Sequence, residues 1–233
     1  MRFCTWNMNR RSPARVWPII EQRIDPDFAF VQEAQEPKHL AQERVIWRAI
    51  GTNSRYGEKG RYHWATGIYS KEKPLRQLTA GELGHGWIVV AETDTSEGTL
   101  TLISIHVEPP LVGFYTESLD RILSELTPLL EEEGRLIVLG GDLNVDVLLD
   151  EVKGTTHNRR VIDRIEGFGL FHCNSLLPDG TRTFLTSEQP YQDDHLFVSR
   201  ALASRASCRV LDDGDMSQFS DHYPLILELQ GGR

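Results

Sequence analysis

The run Leu136-Ile137-Val138-Leu139-Gly140-Gly141-Asp142-Leu143-Asn144 carries the strongest local chemical signal in the chain. An apolar stretch stops at two glycines and then presents a carboxylate and an amide two residues apart. Along an extended chain that spacing turns both side chains to one side, so Asp142 and Asn144 share the end of a buried strand. The carboxylate can ligate a hard cation or hold a water, and the amide can donate to an anionic oxygen without adding negative charge. A plain Asp/Asn/Gly turn reads the same way and is common.

Three other segments end alike. Phe28-Ala29-Phe30-Val31-Gln32 closes on Glu33, Phe3-Cys4-Thr5-Trp6 closes on Asn7, and Thr101-Leu102-Ile103-Ser104-Ile105 closes on His106 before Pro109-Pro110. Each alone is an ordinary strand end. Several strands delivering Asn, Glu, His, Asp and Asn to their carboxyl ends is how a layered α/β fold assembles a site. Near the C-terminus, Ser220-Asp221-His222 precedes a final apolar strand, and Asp193-Asp194-His195 opens another. An imidazole beside carboxylates supplies a nitrogen base near neutral pH whose tautomer and charged form a carboxylate can fix.

The elements that must position these groups are short. Strands are predicted at 2–6, 28–32, 64–69, 87–92, 99–106, 136–139, 194–198, 208–211 and 225–229, where β-branched and aromatic residues lie between turn-rich flanks. Trp87 to Ala91 and Glu97 to Leu102 form a predicted hairpin across the acidic turn at 94–98. Helical spacing appears at 16–23, 117–132 and 159–165. In the second, Leu119, Ile122, Leu123, Leu126, Leu129 and Leu130 mark one buried face, with Pro128 late in it. Helices scattered among many strands imply layered α and β, sheet packed on sheet with helices outside.

The composition sets outer bounds. A chain of 233 residues with 39% hydrophobic and 25% charged residues is expected to fold as one domain over 1–233. Three widely spaced cysteines, Cys4, Cys173 and Cys208, fit neither a disulfide framework nor a thiolate zinc site. No stretch approaches the roughly 18 apolar residues of a membrane span, and the first residues lack a signal-peptide core, so a cytoplasmic protein without stable membrane association is expected. Asp and Glu number 34 against 25 Lys and Arg, a formal net charge of −9. That argues against a protein that coats nucleic acid by bulk charge, although a bound cation would reverse the field locally.

Thr5-Trp6-Asn7, Val31-Gln32-Glu33, Thr66-Gly67-Ile68-Tyr69-Ser70, Ser104-Ile105-His106, Gly141-Asp142-Leu143-Asn144, Asp194-His195-Leu196-Phe197 and Ser220-Asp221-His222 follow, in order, the motifs of the endonuclease/exonuclease/phosphatase superfamily. The chain resembles that family nearly end to end. The resemblance implies a four-layered α/β sandwich with two packed mixed β-sheets flanked by helices, the site at one edge. It implies Mg²⁺ or Mn²⁺, one ion or two, with Glu33 as principal ligand and Asn7 and Asp221 near the metal. Asp142 would orient or deprotonate the attacking water, Asn144 would hold a phosphate oxygen, and His222 would be the central imidazole, oriented by Asp194. His106 stands where enzymes of the deoxyribonuclease I type keep a second histidine, suited to the leaving oxygen. The glutamate that pairs with it there has no counterpart in Arg61-Tyr62-His63-Trp64.

The departures narrow the substrate. Inositol phosphatases carry a Trp before Gly-Asp-x-Asn and a Pro-Ala-Trp-x-Asp-Arg stretch; this chain has Leu139-Gly140 and Tyr191-Gln192-Asp193-Asp194. Apurinic endonucleases place Arg before their Leu-Asp or Ile-Asp, where Gln192-Asp193-Asp194 stands here. Sphingomyelinases bring an apolar membrane hairpin, to which only the short Leu111-Val112-Gly113-Phe114-Tyr115 compares. Arg10, Arg11, Arg55, Lys59 and Arg61 fall in stretches read as loops bordering the site, as do Arg159 and Arg160 where they open the third helical pattern, with Tyr56, Tyr62 and Trp64 nearby. They could hold a polynucleotide backbone and stack a base, or be solvated loop charges. A nuclease with nucleic acid as substrate is the leading expectation. The net charge leaves open a phosphatase or phosphodiesterase of small-molecule, nucleotide or lipid phosphates. A silent binding module is disfavoured because every motif position keeps a competent side chain.

Overall fold

The computed structural model describes residues 1–49, 64–78, 87–107 and 114–231. The described strands form two six-stranded sheets. In the first, the order is β11 (Ala206–Val210), β12 (Leu225–Leu229), β1 (Arg2–Asn7), β2 (Phe28–Gln35), β4 (Trp64–Ser70) and β3 (Val45–Ala49). In the second it is β5 (Arg76–Gln77), β6 (Ile88–Thr95), β7 (Gly98–His106), β8 (Leu136–Asp142), β10 (Asp194–Ser199) and β9 (Leu170–His172).

Each sheet is mixed around one central parallel pair. β1 runs parallel to β2, with Asn7 opposite Gln32, and β7 runs parallel to β8, with His106 opposite Asp142. These four strands are buried on both faces, which is why they read as near-continuous apolar runs. Between the sheets, Phe3, Phe28, Phe30, Ile68 and Leu227 of the first pack on Val89, Leu102, Val138, Leu196 and Val198 of the second. Gly140 permits this closeness: a Cβ there would stand 2.7 Å from the Phe30 ring and 2.8 Å from Leu196.

Helices complete the outer layers. On the second sheet lie α2 (Tyr115–Leu130) and α4 (His157–Gly167), through Leu119, Ile122, Leu123, Leu126, Leu130, Val161, Ile162 and Ile165. The first sheet is covered by α1 (Pro13–Pro18) and the π-helical turn Ile19–Ile24, through Val16, Trp17, Ile20 and Ile24. The four layers follow as expected. No helix among the described residues is long and apolar enough to cross a membrane.

All nine expected strands form, and the hairpin turns at Ser96-Glu97. Expectation missed β3, β5 and β9, which lie at sheet edges and lack a doubly buried run. It also missed α3 (Val147–Lys153), where Asp146 accepts the Leu148 N–H at the start and Gly154, at φ +66°, ends the helix. The helix expected over 159–165 begins two residues earlier, at His157, so Arg159 and Arg160 lie within its first turn rather than in a bordering loop. The buried Asp150 carboxylate accepts the backbone N–H groups of Asn158 and Arg159 and so carries α4 back to His157. A short helix, α5 (Arg200–Ala203), follows β10.

Candidate active site

Because both parallel pairs end at the same edge, the expected residues converge there. Asn7 ends β1, His106 ends β7 and Asp142 ends β8; Asp194 opens the antiparallel β10 directly opposite Asp142. Gly141 sets this corner, since a Cβ there would stand 1.8 Å from the Ile105 carbonyl oxygen across the β7–β8 ladder. Glu33 is reached differently. The β2–β4 register shifts between Val31 and Ala34, and Glu33 takes a left-handed φ of +45°. Such a conformation costs a non-glycine residue about 1–3 kcal/mol and concentrates at functional positions. The β1 extension follows the bulge through hydrogen bonds from Met8 N to Gln32 O and from Arg10 N to Glu33 O, each 2.9 Å. Asn144 is also left-handed, at φ +53°, and donates its N–H to Asp142 Oδ1 at 3.1 Å.

Asn7, Glu33, His106, Asp142, Asn144, Asp221 and His222 line one cavity of about 290 Å³. Asn7 Nδ2 donates to Asp142 Oδ2 at 2.8 Å. His222 Nδ1 lies 2.8 Å from Asp194 Oδ2, within hydrogen-bond reach although 28 residues separate them. The His222 backbone is pinned: its carbonyl accepts Trp6 Nε1 at 2.9 Å and its N–H donates to Ser220 Oγ, which in turn donates to the Asn7 carbonyl. Three longer separations surround the centre. His222 Nε2 to Asp142 Oδ2 is 3.9 Å, His106 Nε2 to the same oxygen 3.8 Å, and His106 Nε2 to Glu33 Oε1 3.9 Å. All exceed a hydrogen bond, and each has the span that an inserted water or phosphoryl oxygen would bridge. Among the described residues, Glu33 and Asp142 are therefore the carboxylates nearest His106.

Burial opposes the charged form of His222, but Asp194 and then Asp142 outweigh it and push the pKa up to about 10. Burial drives His106 the other way, down to about 4, so it is neutral. It also raises Asp142, against the neighbouring His222, and pushes Asp193 up to about 8. A neutral His106, edge-on to Trp87 with centroids 4.9 Å apart, thus stands beside a charged His222 held by Asp194.

The arginines divide. Arg10 lines the cavity, its guanidinium on Glu33 at 2.6 and 3.0 Å and over the Trp64 ring at 4.7 Å. Arg11 is exposed and outside the lining, and Arg159 and Arg160 sit on the first turn of α4, also outside it. Arg61, with Arg55, Tyr56, Lys59 and Tyr62, lies outside the described residues. Sequence reasoning missed the wall residues Asn9, Trp87, Tyr115 and Phe184. Asn9 is local, its N–H donating to Asn7 Oδ1 at 2.9 Å, but long-range packing brings the other three, as with Phe184, tilted against His222 at 4.9 Å. A larger cavity of about 730 Å³ lies beside α1 and is lined by Trp17, Glu21, Lys38, His39 and Trp47, but it gathers none of the strand-end residues.

Among the described residues no three His, Cys, Asp or Glu side chains converge tightly enough to cage a cation. The oxygen donors of Glu33, Asn7 and Asp221 around this cavity nonetheless suit Mg²⁺ or Mn²⁺. Mg²⁺ is commonly held by one or two carboxylates, with waters and substrate phosphates completing the shell.

The sequence model of the Endonuclease/Exonuclease/phosphatase family matches residues 4–222. No curated protein matches the chain. Among solved structures, the endonuclease domain of TRAS1, a telomere-specific non-LTR retrotransposon, is similar at 20% identity and a TM-score of 0.68, covering 100% of this chain and 99% of that one. An AP endonuclease from Archaeoglobus fulgidus is similar at 17% and 0.72, over 99% and 100%. A Neisseria 3' phosphatase, NExo, bound to product DNA hairpin is similar at 17% and 0.69, over 99% and 100%. These likenesses are of fold. Together with a match over almost the whole sequence, they leave one assignment: the chain belongs to the endonuclease/exonuclease/phosphatase family.

Proposed function

We propose that this phosphoesterase is a divalent-metal-dependent nuclease that hydrolyses phosphodiester bonds of nucleic acid at the edge where the two sheets meet. The observation that carries the reading is the His222–Asp194 pair at 2.8 Å, whose free Nε2 faces the Asp142–Asn7 pair across 3.9 Å. In this reading His222, held cationic by Asp194, donates from Nε2 to a phosphoryl oxygen and so stabilises charge that grows in the transition state. Asp142, oriented by Asn7 and by the Asn144 N–H, aligns the attacking water and takes its proton. Asn144 donates its side-chain amide to a non-bridging oxygen. His106, neutral at physiological pH, offers a hydrogen bond to the leaving oxygen. Mg²⁺ or Mn²⁺ bound at Glu33, Asn7 and Asp221 would supply charge neutralisation on the phosphate. Arg10 shields Glu33 and exchanges that contact for a substrate phosphate.

DNA as substrate is supported by the similar structures: a retrotransposon endonuclease domain, an AP endonuclease and a 3' phosphatase bound to a product DNA hairpin. The compact cavity favours a second reading, a phosphatase acting on a terminal phosphate. The test is a turnover panel in Mg²⁺ and Mn²⁺ with single- and double-stranded DNA, abasic DNA, RNA, 3'-phosphorylated DNA, nucleotides, phosphoinositides and sphingomyelin. Cleavage of polynucleotide, abolished by EDTA and restored by either ion, is expected. Full activity after chelation would remove the metal from the reading, and turnover of phosphoinositide or sphingomyelin alone would replace the nuclease.

A further inference from the structure

Outside the cavity lies an aromatic pair that the hydrolytic centre does not use. Phe114, the residue before α2, is 53% exposed. Its ring stacks on the imidazole of His157, the first residue of α4, with centroids 5.4 Å apart and planes 16° from parallel. His157 is itself exposed, so both rings of the stack reach solvent. Burial in the fold does not account for this arrangement. The chain places the pair at the rim of the cleft, because Tyr115, which follows Phe114, lines the cavity. Two cations flank the His157 side: Arg159 and Arg160 are exposed on the same helical turn as His157, and neither makes an ion pair with another described residue, while Glu117 is exposed on the Phe114 side, on the first turn of α2.

We propose that Phe114 and His157 form a stacking platform for one unpaired nucleobase flanking the cleaved bond, with Arg159 and Arg160 on the adjoining phosphates. This rests on the nuclease reading and deepens it, because a flat base presents its face to any planar partner whatever its sequence. Cationic side chains beside the rings meet the backbone of the same strand. A membrane is the weaker occupant, since among the described residues one exposed phenylalanine, stacked on an imidazole and bordered by two arginines, buries too little apolar surface to hold a bilayer.

The experiment uses a single-stranded oligonucleotide carrying one 2-aminopurine, titrated into the full chain in EDTA and in Ca²⁺, alongside phosphatidylcholine–sphingomyelin vesicles. Stacking should quench the probe on binding. Phe114→Ala is expected to weaken binding about 5- to 150-fold, the equivalent of one lost base stack, and to remove the quenching. Phe114→Trp should restore both, His157→Ala should weaken binding, and Val152→Ala, at an exposed apolar residue elsewhere, should behave as wild type. Joint replacement of Arg159 and Arg160 by Ala should weaken binding and flatten its salt dependence while the bound probe stays quenched. If wild type cleaves polynucleotide and Phe114→Ala binds and quenches like it, the platform is wrong and the nuclease reading survives. If wild type neither binds nor cleaves any polynucleotide, both fall. Loss of vesicle binding in Phe114→Ala with oligonucleotide binding intact would overturn the platform in favour of a lipid surface.

Discussion

Gly141→Ala tests whether the corner between β7 and β8 governs the site. The added Cβ would stand 1.8 Å from the Ile105 carbonyl oxygen, 2.7 Å from its carbon and 2.9 Å from its nitrogen, whereas real Cβ contacts stay above 3.0 Å. The shortfall of about 1.2 Å is against backbone on the paired strand, so no side-chain rotation relieves it. Either the strands separate or the end of β8 swings. Separation forfeits one or two ladder hydrogen bonds at about 0.5–1.5 kcal/mol each, on top of about 1–3 kcal/mol of overpacking, so a loss of roughly 2–5 kcal/mol is expected. Either movement displaces Asp142, the next residue, from Asn7 and from the space facing His222. A displacement near 1 Å at reacting groups can lower turnover by about 10²-fold. Urea melts give the stability term, and steady-state kinetics well below the melting point give the catalytic term. Gly167→Ala is the control: no atom lies within 4 Å of its Cβ, its φ is ordinary, and it ends α4, so a neutral or slightly stabilising result is expected. A Gly141→Ala protein that melts and turns over like wild type would refute the argument that this close approach positions the site.

His222→Ala and Asp194→Ala should each lower kcat by about 10²–10⁴-fold, and the double variant by little more than the worse single one, measured by steady-state kinetics on the substrate the panel identifies. Burial works to raise the Asp150 pKa, but hydrogen bonds from Thr155, Arg159 and Asn158 hold it below its ordinary value. Its stabilisation is therefore complete above the unfolded carboxylate pKa and lost as pH falls through the lower folded one. Asp150→Ala should cost about 1–2 kcal/mol at pH 7, and thermal melts should show the gap closing in strong acid. In the buried chain from His172 to His195 to the Val145 carbonyl, only His195 Nε2 can donate to that oxygen, so His195 Nδ1 accepts from His172 Nε2. Burial first, then the charge of His195, depresses His172, and burial depresses His195; stability is complete above the ordinary imidazole pKa and lost as pH falls. His172→Phe should cost about 1–3 kcal/mol at pH 7 by orphaning His195 Nδ1, and should flatten the loss of Tm between pH 7 and 5.

The parts legible in the sequence were those governed by local pattern. Asp142 and Asn144 followed from an apolar run stopped by two glycines, and β1, β2, β7 and β8 from doubly buried strands. The His222–Asp194 contact has no local signature and came from the order of the motifs. What stayed hidden depends on backbone departures or distant packing. No pattern announced the bulge that turns Glu33 inward, so its ion pair with Arg10 was not foreseen. The helix that carries Arg159 and Arg160 starts two residues before its predicted start because its cap, Asp150, is contributed from α3 rather than from the residues immediately before it. The wall formed by Trp87, Tyr115 and Phe184 depends on how separate elements meet, which period and propensity do not encode.

The seam between the sheets runs through the middle of this cleft. Asn7, Glu33 and His222 belong to the first sheet and the segment leading into its last strand, while His106, Asp142 and Asp194 belong to the second. Two of the shortest contacts in the site, Asn7 to Asp142 and His222 to Asp194, are bonds across that seam. Deeper in, Gln32 Nε2 donates to Ser104 Oγ at 3.2 Å, a buried dowel between the same two slabs. The geometry of this cleft is thereby a vernier reading of how the slabs are aligned. Slippage of less than an ångström, too small to unpair a single strand, would throw both bonds out of line together. On gentle heating such a protein would fall silent while its strands were still intact, and substitutions along the Phe30–Gly140–Leu196 contact, far from any substrate, would tune its working temperature.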